Sequence, residues 1–372
     1  MSRRVLIFIY SMAGGGAERV ISHLANSLVN ENADVCIVTI AGEQSDVYTL
    51  DKRVQRIGLS LDKTSSGVSG AIYRNLARVH SLRHVIREYG PNVVLSFMTE
   101  SNIVALLASS GLNHRVVVSE RIFPPAESLS TYWSWLRRKC YPWADSVVVQ
   151  TTATSNWVIR NCPKTRVNII PNAAMDIIDQ EPFVSVDAHS SPEEHIILSL
   201  SQLRPQKGID RLIDSFASLS PQIAKGWVLV IAGDGPLDDE LRRQAAGKNL
   251  HNRVRFVGRV GNVGDWYRRA DIFVLSSYYE GFPNALLEAM AIGAAVISVD
   301  CNAGPRDIIS HDVDGLLVSN SEPQALANAI TRLISNPQLR NRLGEHAERS
   351  ASRFSEKSVL KKWRDILFSN KN

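Results

Sequence analysis

Short apolar runs rich in valine and isoleucine recur twelve times along the chain, and helical patterns separate most of them. They cover residues 5–10, 35–40, 93–97, 116–119, 146–150 and 167–170, then 196–200, 228–232, 254–257, 272–275, 295–299 and 315–318. A strand that is apolar at consecutive positions has both faces buried, which predicts parallel sheets covered by helices. The series is interrupted once. Pro171-Asn172 is followed by residues 173–194, rich in Asp, Glu, Ser and Pro, which read as a linker. The chain of 372 residues is therefore expected to form an α/β protein with two Rossmann-like, doubly wound domains in series. The first covers residues 1–172 and the second 195–354. A last helix within 355–372, with Val359, Leu360, Trp363, Ile366 and Leu367 at helical spacing, is expected to pack back toward the first domain. One internal echo fits the two halves: Tyr-x-x-Ala-Asp-x-x-Val occurs at Tyr141 and again at Tyr267.

Charge separates the halves further. Residues 1–178 carry 19 Lys and Arg against 13 Asp and Glu, an excess of six, whereas the rest carries 23 against 24. That asymmetry suits an acidic partner for the first half: nucleic acid, a membrane surface or a phosphorylated substrate. It also fits an ordinary solvated surface. The apolar run after Arg3 and Arg4 is shorter than a signal peptide requires, and no run approaches a membrane span. Cys36, Cys140, Cys162 and Cys301 are scattered without a Cys-x-x-Cys pair and read as reduced, buried thiols. A cytoplasmic protein fits these features.

Three loops carry chemistry. Gly14-Gly15-Gly16 follows the first strand and opens an amphipathic helix, so the backbone can approach an anion at a helix N-terminus. The same glycines suit a plain tight turn. The dinucleotide fingerprint fails, because Arg19 stands where its third glycine belongs. Arg204 and Lys207, in the loop after the first strand of the second half, offer one planar fork and one point charge for a diphosphate. In the third loop, Glu280 precedes a helix that Pro283 and Asn284 are suited to start, and Glu288 lies one turn inside it. Carboxylates there can accept hydrogen bonds from sugar hydroxyls, while the amides of Gly281, Phe282, Pro283, Asn284, Ala285 and Leu286 surround the helix start (proline lacking the N–H). Asp312-Val313-Asp314 has the form of a metal-binding Asp-x-Asp, but its Asp-Gly context reads as a turn.

The stretch from Glu280 to Glu288 resembles the E-x7-E motif of retaining GT-B glycosyltransferases of family 4. Further blocks resemble that family in its order: the glycine loop, Ile170-Pro171-Asn172, Leu203 to Gly208, Ala232 to Pro236, Arg255 to Gly258, Gly304 to Asp307 and Gly315 to Val318. The glycine loop ending Gly15-Gly16-Ala17-Glu18-Arg19, with Ser119-Glu120-Arg121, is most similar to bacterial enzymes that extend lipid-linked oligosaccharides. The resemblance implies a GT-B fold, two Rossmann-like domains facing across a cleft. It implies that Gly15 and Gly16 approach the donor diphosphate, that Arg204 and Lys207 hold it, and that Glu280 binds the donor sugar and Glu288 the ribose. Backbone near Arg255 and Val257 would meet the base. The implied donor is a nucleotide sugar, a UDP-hexose or UDP-N-acetylhexosamine, used without a metal or other cofactor. The implied acceptor is a polyprenyl-diphosphate-linked glycan in polysaccharide, O-antigen or related biosynthesis.

One departure stands out. Many family members carry a His near the end of an N-domain strand, and here Glu120 and Arg121 occupy that place as acceptor-side candidates. The basic excess falls in two helical segments. The helix over residues 71–89 places Ile72, Leu76, Val79, Val85 and Ile86 on its expected apolar side. The segment from Thr131 to Trp143 sets Trp133 and Trp135 beside Arg137, Arg138 and Lys139, which resembles a membrane-interface anchor. Helices packed on a sheet with exposed basic faces explain it equally well. An anionic membrane surface is the expected partner, on the inner face of the cell membrane; no nucleic-acid motif accompanies the basic residues. A GT-B epimerase or a silent sugar-nucleotide-binding subunit are the alternative readings. A NAD-dependent oxidoreductase is the weakest, given Arg19.

Overall fold

A computed structural model describes residues 3–62, 68–174 and 181–368. The linker positions 175–180 thus lie outside the described residues. The chain divides into two compact units: Met1–Asn172 with Val359–Asn372, and Ala173–Ser358.

The first unit runs β1 Arg4–Ile9, α1 Gly16–Asn30, β2 Asp34–Thr39, β3 Gln55–Gly58, α2 Val68–Tyr89, β4 Val93–Phe97, α3 Thr99–Ser109, β5 Arg115–Glu120, α4 Thr131–Cys140, β6 Ser146–Val149, α5 Thr152–Asn161 and β7 Val167–Ile169. Its seven strands pair in the order β3-β2-β1-β4-β5-β6-β7, all parallel. The run from Val5 to Ile9 is buried on both faces, as its unbroken apolarity requires. The strand β3 is the one that periodicity misses. Gln55-Arg56-Ile57-Gly58 has a single large apolar residue and forms an edge by pairing with β2.

The second unit runs β8 His195–Leu200, α6 Ile209–Ala217, β9 Trp227–Ala232, α7 Asp238–Gly247, β10 Val254–Gly258, α8 Val263–Arg269, β11 Ile272–Leu275, α9 Asn284–Ala291, β12 Ala295–Asp300, α10 Pro305–Ile308, β13 Leu316–Ser319, α11 Ala325–Ser335 and α12 Pro337–Ala351. Its sheet order is β10-β9-β8-β11-β12-β13, again all parallel. The helix α6 buries Ile209, Leu212, Ile213 and Phe216, one stripe at helical spacing. In both sheets the winding reverses beside the first strand, between β1 and β4 and between β8 and β11. Ligands of such folds bind outside the carboxyl ends of the strands at that switch point.

The echoed motif does the same work twice. Asp145 accepts the backbone N–H of Val116, which opens the neighbouring part of β5, at 2.8 Å, and Asp271 accepts that of Ile196 in β8 at 2.9 Å. The tyrosines are both buried, and each donates its hydroxyl to a glutamate: Tyr141 to Glu120 and Tyr267 to Glu288.

The expected linker and the expected apolar side of α2 both change, whereas the last helix packs where it was expected. The segment read as a linker is anchored to the second unit from residue 181 onward. Asn262 bonds both backbone groups of Val184, and Arg255 forks onto Glu194 at 2.7 and 2.8 Å. The last helix, α13 Glu356–Phe368, returns to the first unit, where Trp363 is buried 5.7 Å from the ring of Phe97 and Arg364 pairs with Glu31 at 2.6 Å. In α2, Leu82 and Ile86 are buried and Val79 and Val85 pack against the core, but Ile72 and Leu76 are exposed. Its 22 residues span about 33 Å, whereas a six-residue strand spans about 20 Å, so the helix overruns the sheet that could cover it.

Candidate functional site

The loops that follow β8 and β11 meet at the switch point of the second sheet. Lys207 Nζ donates to Glu280 Oε1 at 2.7 Å, and the Ser277 hydroxyl donates to the same oxygen at 2.6 Å. Backbone contacts bind the loops along their length: Tyr278 N–H to Gln206 O at 2.8 Å, Gln206 Nε2 to Tyr279 O at 3.1 Å and the Ser276 hydroxyl to Lys207 O at 3.0 Å. The approach is close enough to require a glycine. Gly208 has φ +61°, and a Cβ there would stand 2.2 Å from Ser276 O. Arg204 opens this turn with an exposed side chain that has no partner among the described residues.

Glu280 is buried apart from its Lys207 and Ser277 contacts, and the chain then passes Gly281, Phe282 and Pro283 into α9. Phe282 is held edge-on against Phe354, centroids 6.0 Å apart, and Leu286 is in the core. Gly304, at φ +97°, lets the start of α10 lie against this turn; a Cβ there would meet Pro283 Cδ at 2.6 Å. Pro283 stands at the N-cap of α9 and makes no side-chain capping bond, so the helix start at the switch point carries its positive dipole end toward the strand ends. Glu288, half-buried one turn on, accepts from Tyr267 Oη at 3.1 Å. Val257 is buried in the strand next to β9, and the Arg255 side chain is taken up by Glu194 and the carbonyl of His189. Any role of Arg255 toward a ligand therefore falls to its backbone.

In the first unit, the loop after β1 carries Gly15 at the start of α1, with Tyr48 Oη donating to Gly15 O at 3.0 Å. Glu18 lies over that helix start: its Oε2 is 2.5 Å from where a Cβ on Gly15 would be, and Gly16 is the first helical residue. A carboxylate folded back on a helix N-terminus occupies the place of an anion. Glu18 is not among the residues that the glycine loop or the family resemblance marks as donor-binding. The spacing of a capping box was the available signal.

At the end of β5, Glu120 is buried within a polar network. It accepts from Tyr141 Oη at 2.6 Å and Thr99 Oγ1 at 3.0 Å, and Arg137 Nη1 lies 3.7 Å away. Burial, reinforced by the negative charge of Glu127, pushes its carboxyl up; Arg137, Tyr141 and Thr99 oppose the shift. Arg121 is buried too, bonded to Asn172 and set over the Phe97 ring, while its Nη1 has no partner among the described residues. Of the two acceptor-side candidates, Arg121 keeps a free donor, and Glu120 is committed to internal bonds.

The family match covers both units. Residues 15–173 match the glycosyl transferase 4-like domain, and residues 184–350 match glycosyl transferases group 1. The chain is a family-4-like GT-B glycosyltransferase. It is 28% identical, over 99% of each chain, to the GalNAc-alpha-(1->4)-GalNAc-alpha-(1->3)-diNAcBac-PP-undecaprenol alpha-1,4-N-acetyl-D-galactosaminyltransferase of Campylobacter jejuni. It is 26% identical to the amylovoran biosynthesis glycosyltransferase AmsD of Erwinia amylovora, over 98% of this chain and 99% of the relative. Among solved structures, the sucrose-phosphate synthase of Thermosynechococcus elongatus superposes with a TM-score of 0.81 at 20% identity, covering 98% of each chain.

Within this glycosyltransferase the basic aromatic segment divides by face. Arg137 does not belong with the surface residues. It is buried, paired with Glu127 at 2.9 Å, and stacked 4.6 Å from the Trp157 ring. Three consecutive cations on a helix cannot share one face, and the first of them points at the sheet. Trp133 is half-buried between two core clusters. Tyr132, Trp135, Arg138 and Lys139 are exposed. Asp314 is buried and accepts from Ser310 N–H at 2.7 Å within the turn, and Asp312 pairs with Arg332 of α11. Among the described residues, no group of three or more His, Cys, Asp or Glu is placed to hold a metal ion.

Proposed function

We propose that this glycosyltransferase moves a hexose or N-acetylhexosamine from a UDP-sugar to a hydroxyl of a polyprenyl-diphosphate-linked glycan, with retention at the anomeric carbon. The observation that carries the donor half is the joining of Lys207 and Glu280 at the switch point, with Arg204 exposed in the same loop. In the transfer, the bond between the anomeric carbon and the β-phosphate oxygen breaks, and the acceptor oxygen bonds to that carbon on the same face. The acceptor proton passes to the departing phosphate. Charge grows on the diphosphate as it leaves. Arg204, Lys207 and the amides at the start of α9 stabilise that charge, so no metal is needed for it. Glu280 orients the sugar hydroxyls, and Glu288 the ribose.

Support for the acceptor comes from relatives. The Campylobacter jejuni relative above and a second one, 25% identical, are named for sugar transfer onto diphospho-undecaprenol-linked acceptors. The surface of the first unit suits a lipid-borne substrate. On α4, Tyr132, Trp135, Arg138 and Lys139 are exposed, and the N-terminal half of α2 exposes Ile72, Tyr73 and Leu76. Aromatic rings and cations together favour the headgroup level of an anionic bilayer. Among the described residues, no helix is long and apolar enough to cross a membrane. We place the enzyme on the inner face of the cell membrane as a peripheral protein.

The test is a screen of nucleotide sugars by release of nucleoside diphosphate, with and without a polyprenyl-diphosphate-linked sugar. Acceptor-dependent release from a UDP-sugar, giving an α-linked product, is the expected result. Turnover of the donor without any acceptor would point to an epimerase instead.

A further inference from the structure

The donor loops hang on a side chain that no motif singles out. Arg211 lies in the first turn of α6, the helix that opens beside Lys207. Its guanidinium donates to the carbonyls of both Ser276 and Ser277 and, through Nη1, to Asn320 Oδ1 at 2.7 Å. Its flat face lies 4.2 Å from the centroid of the Tyr278 ring. Three consecutive residues of the loop after β11 are therefore gripped by one planar group. Ser276 and Ser277 are buried, so their carbonyls have little recourse to water. Glu280 follows within the same turn, and the Ser277 hydroxyl bonds it directly.

We infer that Arg211 is a positioning residue for the donor site, fixing the loop from Ser276 to Glu280 so that Lys207 and Glu280 meet the donor in one geometry. The inference rests on the donor-site reading above. Arg211 is assigned no contact with the donor; it acts through Ser276, Ser277 and Tyr278. A lysine cannot replace it, because a point charge cannot serve two successive carbonyls and lie flat on an aromatic ring at once. The side chain also lines a cavity of about 430 Å³ with Tyr278, Asn320, Ser321 and Glu322. That opening gives a small cation a path to the position if the side chain is removed.

The experiment uses the full chain with UDP as the binding probe and the UDP-sugar that the wild type cleaves as substrate. In Arg211→Ala, UDP binding and turnover are expected to weaken at least about tenfold, the scale of one charge-assisted contact. Guanidinium chloride at about 20 mM, far below denaturing concentrations, should restore much of the loss, and equal sodium chloride should not. Arg211→Lys should remain impaired although it keeps the charge. Thermal melting of each variant separates folding from positioning. Loss of activity that merely follows loss of folded protein, with no guanidinium rescue, would overturn the inference. If Lys207→Ala is impaired and Arg211→Ala is normal, the inference falls and the donor reading stands. If the wild type binds no UDP and cleaves no UDP-sugar, the donor reading falls first.

Discussion

Lys207 and Glu280 stand 73 positions apart in sequence and 2.7 Å apart in space, joining the two loops that flank the switch point of the second sheet. The pair has a function and a structural cost. Substituting Lys207 with alanine should cut turnover at least about tenfold, because a charge-assisted contact to a developing phosphate contributes more than about 1.4 kcal/mol. Arg204→Ala should do the same. Near-normal rates in both variants would remove the diphosphate assignment. Lys207→Ala also leaves the buried Glu280 carboxylate with the Ser277 hydroxyl alone, which should lower stability by about 1–3 kcal/mol. In a Glu280→Gln background that penalty should shrink, and a double-mutant cycle in urea would measure the difference.

Glu120 makes the first unit sensitive to base. Its carboxyl is held above the ordinary 4.5, at about 7, chiefly by burial and then by Glu127. The folded state thus binds this proton more tightly than the unfolded state. The associated stability is full below the unfolded value and is lost as pH rises through about 7. Glu120→Gln keeps a neutral, hydrogen-bonding side chain and removes the titration. Melting curves between pH 5 and pH 8 should therefore fall less steeply for the variant; parallel profiles would reject the assignment.

The Glu194–Arg255 pair has the opposite sign. Hydrogen bonds from Arg255 hold the Glu194 carboxyl down to about 2. Its contribution is present above the unfolded value near 4.5 and disappears as pH falls toward 2. Arg255→Met should lower the stability of the second unit modestly near pH 7, since the pair is partly exposed, and that deficit should shrink as pH falls toward 2, where the wild-type pair is itself lost. Urea unfolding followed by tryptophan fluorescence at pH 7 and at pH 3 would test this, with the same deficit at both pH values as the contrary outcome.

The three consecutive cations of α4 should behave as two classes. Reversing Arg138 and Lys139 to glutamate should weaken sedimentation with phosphatidylglycerol vesicles at low salt. Loss of each surface cation alone is worth about 1 kcal/mol, so the pair of changes should cost at least about 30-fold. Arg137→Ala should leave vesicle binding of the folded protein unchanged. It should instead lower stability by about 3–5 kcal/mol, by stranding Glu127 beside Glu120. A vesicle defect in Arg137→Ala equal to that of the surface variant would reverse the division.

If Arg204, Lys207 and the first turn of α9 carry the leaving-group charge, chelation should not matter. Turnover in excess EDTA is expected to match turnover with added Mg²⁺ or Mn²⁺. A drop of about tenfold or more on chelation, restored by one of those ions, would require a metal in the reaction.

The sequence by itself determined the sheets and marked the loops proposed to hold the donor. Unbroken apolar runs have one stable fate, a strand buried on both faces, so twelve of the thirteen strands among the described residues lie within one residue of the expected bounds at both ends. The acids at 280 and 288 are visible in the sequence because charged residues at the edge of an apolar stretch leave a local mark, whereas the close approach that requires glycine at 208 and 304 shows only in the packed loops. The tertiary structure decided what depends on partners distant in the chain. The edge strand β3 exists because β2 offers it hydrogen bonds, not because Gln55-Arg56-Ile57-Gly58 favours a strand. Ile72 and Leu76 sit on the apolar stripe of α2, yet the sheet ends before it reaches them. Arg137 has the same neighbours in sequence as Arg138 and Lys139, and only its facing pair of glutamates makes it a core residue. Arg211 carries no motif at all; its part in the donor site follows from two carbonyls 65 and 66 residues away. Periodicity records whether a side chain is to be buried, and only the packed fold records against what.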